Sequence, residues 1–377
     1  MIPEFDMSDE KIHYGEKTVD SIKKAALPLY IWGYDITAIT LHRKLEKCGV
    51  PVAGFITDRV DVKIDGVIPH DDFIRQNPGL KYSIIRGFRE SFLMSDDEIR
   101  AAWSGCQNVY TLADCHDDVI VEEISREFYT AHKAEFDEVY DNLADEHSKK
   151  SLAAYLQAKV LKTQTPVLPL IVSPQYFFAP APWKYSDDDV LLDCGAFDGD
   201  SILDFISLRG DRYGEIIACE PDPGNFATMN QNLRARHVER FLPLNFGLGS
   251  EKTTLKFKSN DSAISTFTDD GDLEISVETI DNIFEQHRGG GNKFSLIKMD
   301  IEGFEMPALL GGERTIKVCR PILMISAYHK RDDIFNIYRY VNGIVSDYKF
   351  CFRCHKTLAC DTVLYAIPSE RFELKEE

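Results

Sequence analysis

Long apolar runs are missing from this sequence of 377 residues. The most apolar stretch, Val167 to Trp183, is broken by Ser173, Gln175 and several prolines, so it cannot cross a bilayer as a helix. Positive charge is scarce as well. Against 62 Asp and Glu there are 43 Lys and Arg, a net charge of −19 at pH 7. A general nucleic-acid binder needs Lys and Arg to displace counterions from phosphates, and this balance argues against one. The N-terminal MIPEFDMSDEK lacks the basic-then-apolar order of a signal peptide. The nine cysteines are odd in number and dispersed from Cys48 to Cys360, which fits a reducing compartment better than a disulfide framework. Internal repeats and low-complexity tracts are absent. These absences predict a cytoplasmic protein with no membrane span and no nucleic-acid partner.

What is present suffices for a packed core: 44% of residues are hydrophobic and 11% aromatic. The length favours two domains. From residue 1 to about 90, LPLYIWGY, VAGFIT and YSIIRGF read as strands and Ile36 to Lys47 as a helix, a smaller Rossmann-like α/β unit. The turn Gly33-Tyr34-Asp35 lacks the GxGxxG of a dinucleotide site. This unit fits a sugar-nucleotide module or a structural, dimerising one, so a homo-oligomer is compatible with it. Residues 91–175 read as a polar helical connector, with amphipathic helices over Asp114 to Tyr140 and Ser148 to Lys162 whose charges face solvent. The aromatic stretch QYFFAPAPW leads into residues 176–377. There VLLDC, EIIACE, RFLPLNFGL, Phe294 to Asp300, Pro321 to Ala327, Tyr348 to Cys354 and Thr362 to Ile367 read as strands. Their continuous apolar runs predict a doubly wound parallel sheet, buried on both faces.

The chemistry gathers where the first two strands of that sheet end. Asp193-Cys194-Gly195-Ala196-Phe197-Asp198-Gly199-Asp200-Ser201 forms the turn into a helix, and ligands of open α/β sheets sit beyond such strand ends. Gly195 and Gly199 permit tight turns and close approach. The three carboxylates Asp193, Asp198 and Asp200 would repel a pyrophosphate and attract a cofactor bearing an ammonium and a sulfonium. Glu220 ends the second strand, where an acid can accept both ribose hydroxyl protons. A glycine turn followed by that acid indicates an adenosyl cofactor, and the acidic loop selects S-adenosylmethionine over NAD. Asp300, Glu302 and His329, after the later strands, are candidates for the base that deprotonates an acceptor, with His329 neutral near pH 7. Asp300 with Glu302 could hold a divalent cation, but nothing in the sequence demands one and none is expected. Glu305 reads as an acid placed by a helix N-terminus.

With LLDCGAFDGDSI, CEPDPGNF, NFGLGS, VETIDNIF, LIKMDIEGFE and DTVLYAI in hand, residues Tyr176 to Pro368 resemble the FkbM family of S-adenosylmethionine-dependent methyltransferases. LIKMDIEGFE (Leu296 to Glu305) is the most diagnostic run, and the pair Tyr176-Phe177 matches a lead-in of several members. The resemblance implies a seven-stranded class I methyltransferase sheet with an antiparallel strand in its last pair. It also implies transfer of methyl to a hydroxyl, commonly on a sugar of a glycan, lipid or natural product. By the same resemblance Asp193, Gly195 and Gly199 line the cofactor's amino-acid end, in a loop that also carries Asp198 and Ser201. Glu220 holds the ribose with Asp222 nearby, Asn245 and Gly247 lie by the adenine, and Asp300 and Glu302 stand where the methyl leaves. Two other functions compete: a non-catalytic cofactor-binding or assembly protein, and an NAD-dependent oxidoreductase, which the missing GxGxxG and the acidic loop disfavour.

Other motifs carry less. Cys351-Phe352-Arg353-Cys354-His355 matches the haem pattern CxxCH but falls in a predicted strand, and with Cys360 its spacing makes no pair of zinc knuckles, so packing cysteines are expected. Arg86, Arg89, Lys330 and Arg331 read as solvated cations, and Gly289 to Gly291 as a flexible loop.

Overall fold

A computed structural model describes residues 1–7, 14–34, 36–58, 64, 66–87, 95–111, 122–161, 166–258, 266–267, 273–287, 293–356 and 361–374. Arg89, Cys360, Gly289 to Gly291 and the start of the helix expected from Asp114 lie outside these residues.

The first sheet is parallel and contains β1 (Leu29–Trp32), β2 (Gly54–Thr57), β3 (Val67–Pro69), β4 (Tyr82–Arg86) and β5 (Cys106–Tyr110), in the order β3-β2-β1-β4-β5. The three apolar runs became β1, β2 and β4. β3 and β5 are short and half-polar and gave no such signal, so the sheet draws a strand from beyond residue 90.

The connector is helical as expected but less solvated. Its helices Arg126–Ala131, Lys133–Asn142 and Glu146–Leu161 pack on the second sheet, burying Phe136, Val139, Leu152 and Tyr155 in one core with Ile325 and Phe352. On the last of these helices Ser148 and Ser151 are fully buried too. Asp145 pairs with Arg353 at 2.9 Å, and Cys351 donates its thiol to the same carboxylate at 3.1 Å. Within the CxxCH run both ring nitrogens of His355 are engaged, Nδ1 with the Val172 carbonyl oxygen at 2.7 Å and Nε2 with the Tyr365 hydroxyl at 2.8 Å. Burial lowers its pKa to about 4. These contacts are packing, as expected for the run.

The second sheet has seven strands: β6 (Val190–Cys194), β7 (Glu215–Cys219), β8 (Phe241–Leu244), β13 (Leu296–Met299), β14 (Ile322–Ser326), β15 (Tyr348–Cys354) and β16 (Thr362–Pro368), in the order β15-β16-β14-β13-β6-β7-β8. β16 runs antiparallel between β14 and β15, and the remaining pairs are parallel. Alternate residues serve opposite faces: Leu192, Cys194, Ile297, Met299 and Ile325 enter one core, while Leu191, Leu296, Ile322 and Met324 enter another. This is the doubly wound α/β class expected. The predicted third strand stops short, however. Gly247 belongs to β9 (Gly247–Leu248) of a separate small sheet with β10 (Thr253–Lys258), β11 (Thr266–Phe267) and β12 (Leu273–Glu278), ordered β11-β10-β12-β9. Among the described residues no helix is long and apolar enough to cross a membrane.

Candidate active site

Strand order reverses between β6 and β13, and a crevice opens at such a switch point beyond the carboxyl ends of the strands. The loop after β6 is fixed there through its backbone. The amides of Gly195 and Ala196 donate to the Cys219 carbonyl at 2.9 and 3.1 Å, and Asp300 donates to that of Cys194 at 3.0 Å. Gly195 has φ +76°, and a Cβ on it would overlap the Asp300 carbonyl oxygen. Glycine is required here for two reasons: a left-handed backbone, and two loops in direct backbone contact.

Asp193 and Lys298 are register partners on β6 and β13. Nζ of Lys298 lies 3.0 Å from Oδ1 of Asp193 and donates to the Gly195 carbonyl at 2.5 Å, while the Ser201 hydroxyl donates to Oδ2 of Asp193 at 2.6 Å. Burial disfavours the ammonium, yet the facing carboxylate keeps Lys298 protonated. One of the loop's three carboxylates is therefore neutralised from the neighbouring strand. Asp198 and Asp200 remain at the loop's outer side, and burial followed by the charge of Asp200 raises the pKa of Asp198. Two carboxylates so placed suit a cationic ligand group.

Glu220, almost fully buried after β7, accepts from the Phe197 amide through Oε2 and from the Asp222 amide through Oε1, both at 2.9 Å. Burial raises its pKa to about 7. It thereby ties the glycine loop to the second strand end. Asp222 caps the helix Pro223–Ala235, accepting from Gly224 and Asn225. Asn245 donates through Nδ2 to the Glu220 carbonyl at 2.8 Å.

At the ends of β13 and β14 a second cluster forms. Tyr176 and Tyr328 donate their hydroxyls to Oδ2 and Oδ1 of Asp300 at 2.9 and 3.1 Å, and the Tyr176 hydroxyl also meets Ser326 Oγ at 2.9 Å. His329 is 1% exposed, with Nδ1 3.1 Å from Glu305 Oε1 and Nε2 3.3 Å from Glu302 Oε2. Burial opposes its charge, but the carboxylates of Glu305 and Glu302 outweigh it and hold the pKa well above the usual histidine value. A neutral histidine base was expected, and carboxylates on both sides favour the imidazolium instead. Glu305 does more than meet a helix terminus. It is wholly buried, accepts from the Ile301 amide at 3.0 Å and faces the imidazole. Burial raises the pKa of Glu302, and burial with the charge of Glu305 pushes Asp333 up to about 7.

Residues 193–350, which contain the first cluster and all of the second except Tyr176, match the sequence model of the methyltransferase FkbM domain. That match places a methyltransferase FkbM domain at residues 193–350. A crystal structure of an FkbM methyltransferase from Methylobacillus flagellatus KT aligns with 95% of this chain and 95% of its own, at 21% identity and a TM-score of 0.64. That likeness concerns fold alone, and it extends over the first sheet and the connector. An rRNA methylase from Streptococcus thermophilus (11% identity, 50% of this chain and 89% of that one, TM-score 0.32) and a precorrin-6y C5,15-methyltransferase from Geobacter metallireducens GS-15 (12%, 50% and 84%, 0.31) align too loosely to bear on its chemistry. No curated protein sequence matches the chain.

Within residues 193–350 the structure brings Asp193, Gly195, Asp198, Gly199, Ser201 and Glu220 to one strand-end cluster, and Asp300, Glu302 and His329 to the next. The side chains of Asp193, Ser201, Asp222 and Asn245 are engaged in internal bonds, and Gly247 pairs with Val277 in the small sheet. Sequence reasoning missed Lys298, Tyr328 and Ser326, and named Tyr176 only as a lead-in aromatic. A lysine inside the apolar strand LIKM was the one available signal, because a buried ammonium needs a facing acid.

Proposed function

We propose that this methyltransferase uses S-adenosylmethionine to methylate a hydroxyl of a sugar, glycan or glycan precursor in the cytoplasm. Glu220 carries the cofactor reading: a buried acid at the end of β7, fixed by the Phe197 and Asp222 amides, in position to accept ribose hydroxyls. Asp198 and Asp200 suit a cationic amino-acid end, and Asn245 and Gly247 border the adenine side. The cofactor supplies an electrophilic methyl on a sulfonium. The chain's part is to align the acceptor and receive its proton. Asp300, held by two tyrosine hydroxyls, orients the acceptor hydroxyl. Glu302, whose side chain is 26% exposed, takes the proton, and His329 behind it positions the carboxylate. The carbohydrate acceptor follows from the family resemblance.

Calorimetric titration with S-adenosylhomocysteine beside NAD tests the cofactor assignment. Micromolar binding of the former alone is expected, and binding of NAD alone would overturn it. Labelled methyl transfer to a panel of sugars and nucleotide sugars tests the acceptor class; transfer to none of them, but to a phenol or an amine, would overturn that part.

A further inference from the structure

The second cluster holds more negative charge than a proton relay requires. Asp300, Glu302 and Glu305 stand within 3.6 Å of His329, and Asp333 sits close enough for its charge to be felt by the same group. Three of these residues, Asp300 at the end of β13, Glu305 and His329 just past β14, can each point a ligand atom so that all three atoms lie within 4.8 Å of one another. That spacing suits donors arranged around one cation.

A second observation concerns the polar atoms themselves. His329 is 1% exposed, and neither ring nitrogen makes a hydrogen bond of acceptable geometry despite the nearby carboxylate oxygens. Oε2 of Glu305, a residue with no exposure, has no hydrogen-bond partner either. Buried polar atoms left in this state are costly unless something else satisfies them. Asp300, in contrast, is 22% exposed, which leaves the cluster open on its Asp300 side.

We infer that Asp300, Glu305 and His329 hold a divalent metal cation, open toward the acceptor. Two carboxylates and one imidazole suit a first-row ion such as Mn²⁺, which accepts nitrogen as well as oxygen, better than Ca²⁺, which takes oxygen ligands. Binding displaces the imidazole proton. Resting on the methyl-transfer reading for its purpose, the inference narrows the acceptor to one that offers oxygen to the metal, such as a sugar with neighbouring hydroxyls. The metal makes the bound hydroxyl more acidic, and its proton passes to Glu302.

The experiment is electron paramagnetic resonance of Mn²⁺ titrated into the full-length protein after chelator treatment. Loss of the free-ion six-line signal at one ion per chain, with nitrogen coupling from an imidazole in the pulsed spectrum, is the expected result. His329→Gln and Asp300→Asn should each weaken binding at least tenfold, with thermal melts confirming that they fold. An unchanged free-ion signal at millimolar protein, or a bound ion without nitrogen coupling, overturns the site whether or not the variants fold. S-adenosylhomocysteine titrated into the same metal-free protein separates the two readings: binding there with no Mn²⁺ uptake removes the metal and leaves the methyltransferase reading intact.

Discussion

Lys298 and Asp193 face each other across β13 and β6, 3.0 Å apart and both shielded from solvent. The pair spans the point where the sheet changes direction. Lys298 also reaches the Gly195 carbonyl, so the ion pair anchors the start of the glycine loop to the strand that leads into Asp300. One charge pair thereby joins the cluster after β6 and β7 to the cluster after β13 and β14.

Lys298→Met should therefore cost about 3–5 kcal/mol, because it leaves a buried carboxylate without its partner. The double variant Lys298→Met with Asp193→Leu should recover most of that loss. Urea denaturation of the wild type and both variants measures it. A loss below about 1 kcal/mol in the single variant, the size of a surface pair, would show that the pair is not an anchor.

Glu220 predicts a pH dependence. Its folded pKa, about 7, is raised by burial, so its contribution to stability is full below the ordinary carboxylate pKa and is lost as pH rises through about 7. Ribose hydroxyls need the ionised form as acceptor, so affinity for S-adenosylhomocysteine should rise with pH and level off above about 7. Glu220→Gln should flatten that profile and weaken binding, and Glu220→Ala should abolish it with the fold intact. Calorimetry across pH 5.5 to 8.5 checks this, and a parallel slope in the Gln variant would assign the titration to another group.

Gly195→Ala should destabilise more than Gly199→Ala. Both have positive φ, which costs an L-residue roughly 1–2 kcal/mol. At 195 the new Cβ meets the fixed carbonyl of Asp300, whereas at 199 it meets the Leu233 side chain at 3.2 Å, which can give. Thermal melts of the two variants should rank in that order.

Tyr176→Phe and Tyr328→Phe each remove one hydroxyl bonded to Asp300. A hydrogen bond to a charged group contributes about 1.5–3 kcal/mol, so kcat should fall roughly ten- to a hundredfold with cofactor affinity unchanged. A rise in KM with kcat preserved would mean that the tyrosines shape the acceptor pocket instead.

Glu302→Gln should lower kcat by about 10²–10⁴, the usual contribution of a general base. His329→Ala should also lower turnover while sparing cofactor affinity. If His329→Ala is fully active, the imidazole is only structural. Steady-state kinetics with a common acceptor distinguishes these outcomes.

The apolar runs VLLDC, EIIAC and LIKM by themselves determined buried parallel strands, because a strand covered on both faces has no polar face to reveal. Gly195, Gly199 and Glu220 at the ends of those runs were legible for the same reason: position along a strand follows from chain order. The short strands β3, β5 and β9 to β12 were not legible, since few residues and mixed polarity leave little periodicity to read. Only the tertiary structure decided which groups face one another. Lys298 neutralises Asp193 because β13 lies beside β6 in register. Tyr176, 124 residues before Asp300 in the chain, reaches its carboxylate. Glu302 and Glu305 close around His329 and favour its charged form. Protonation depends on distances between neighbours in space, and chain order alone does not supply those distances.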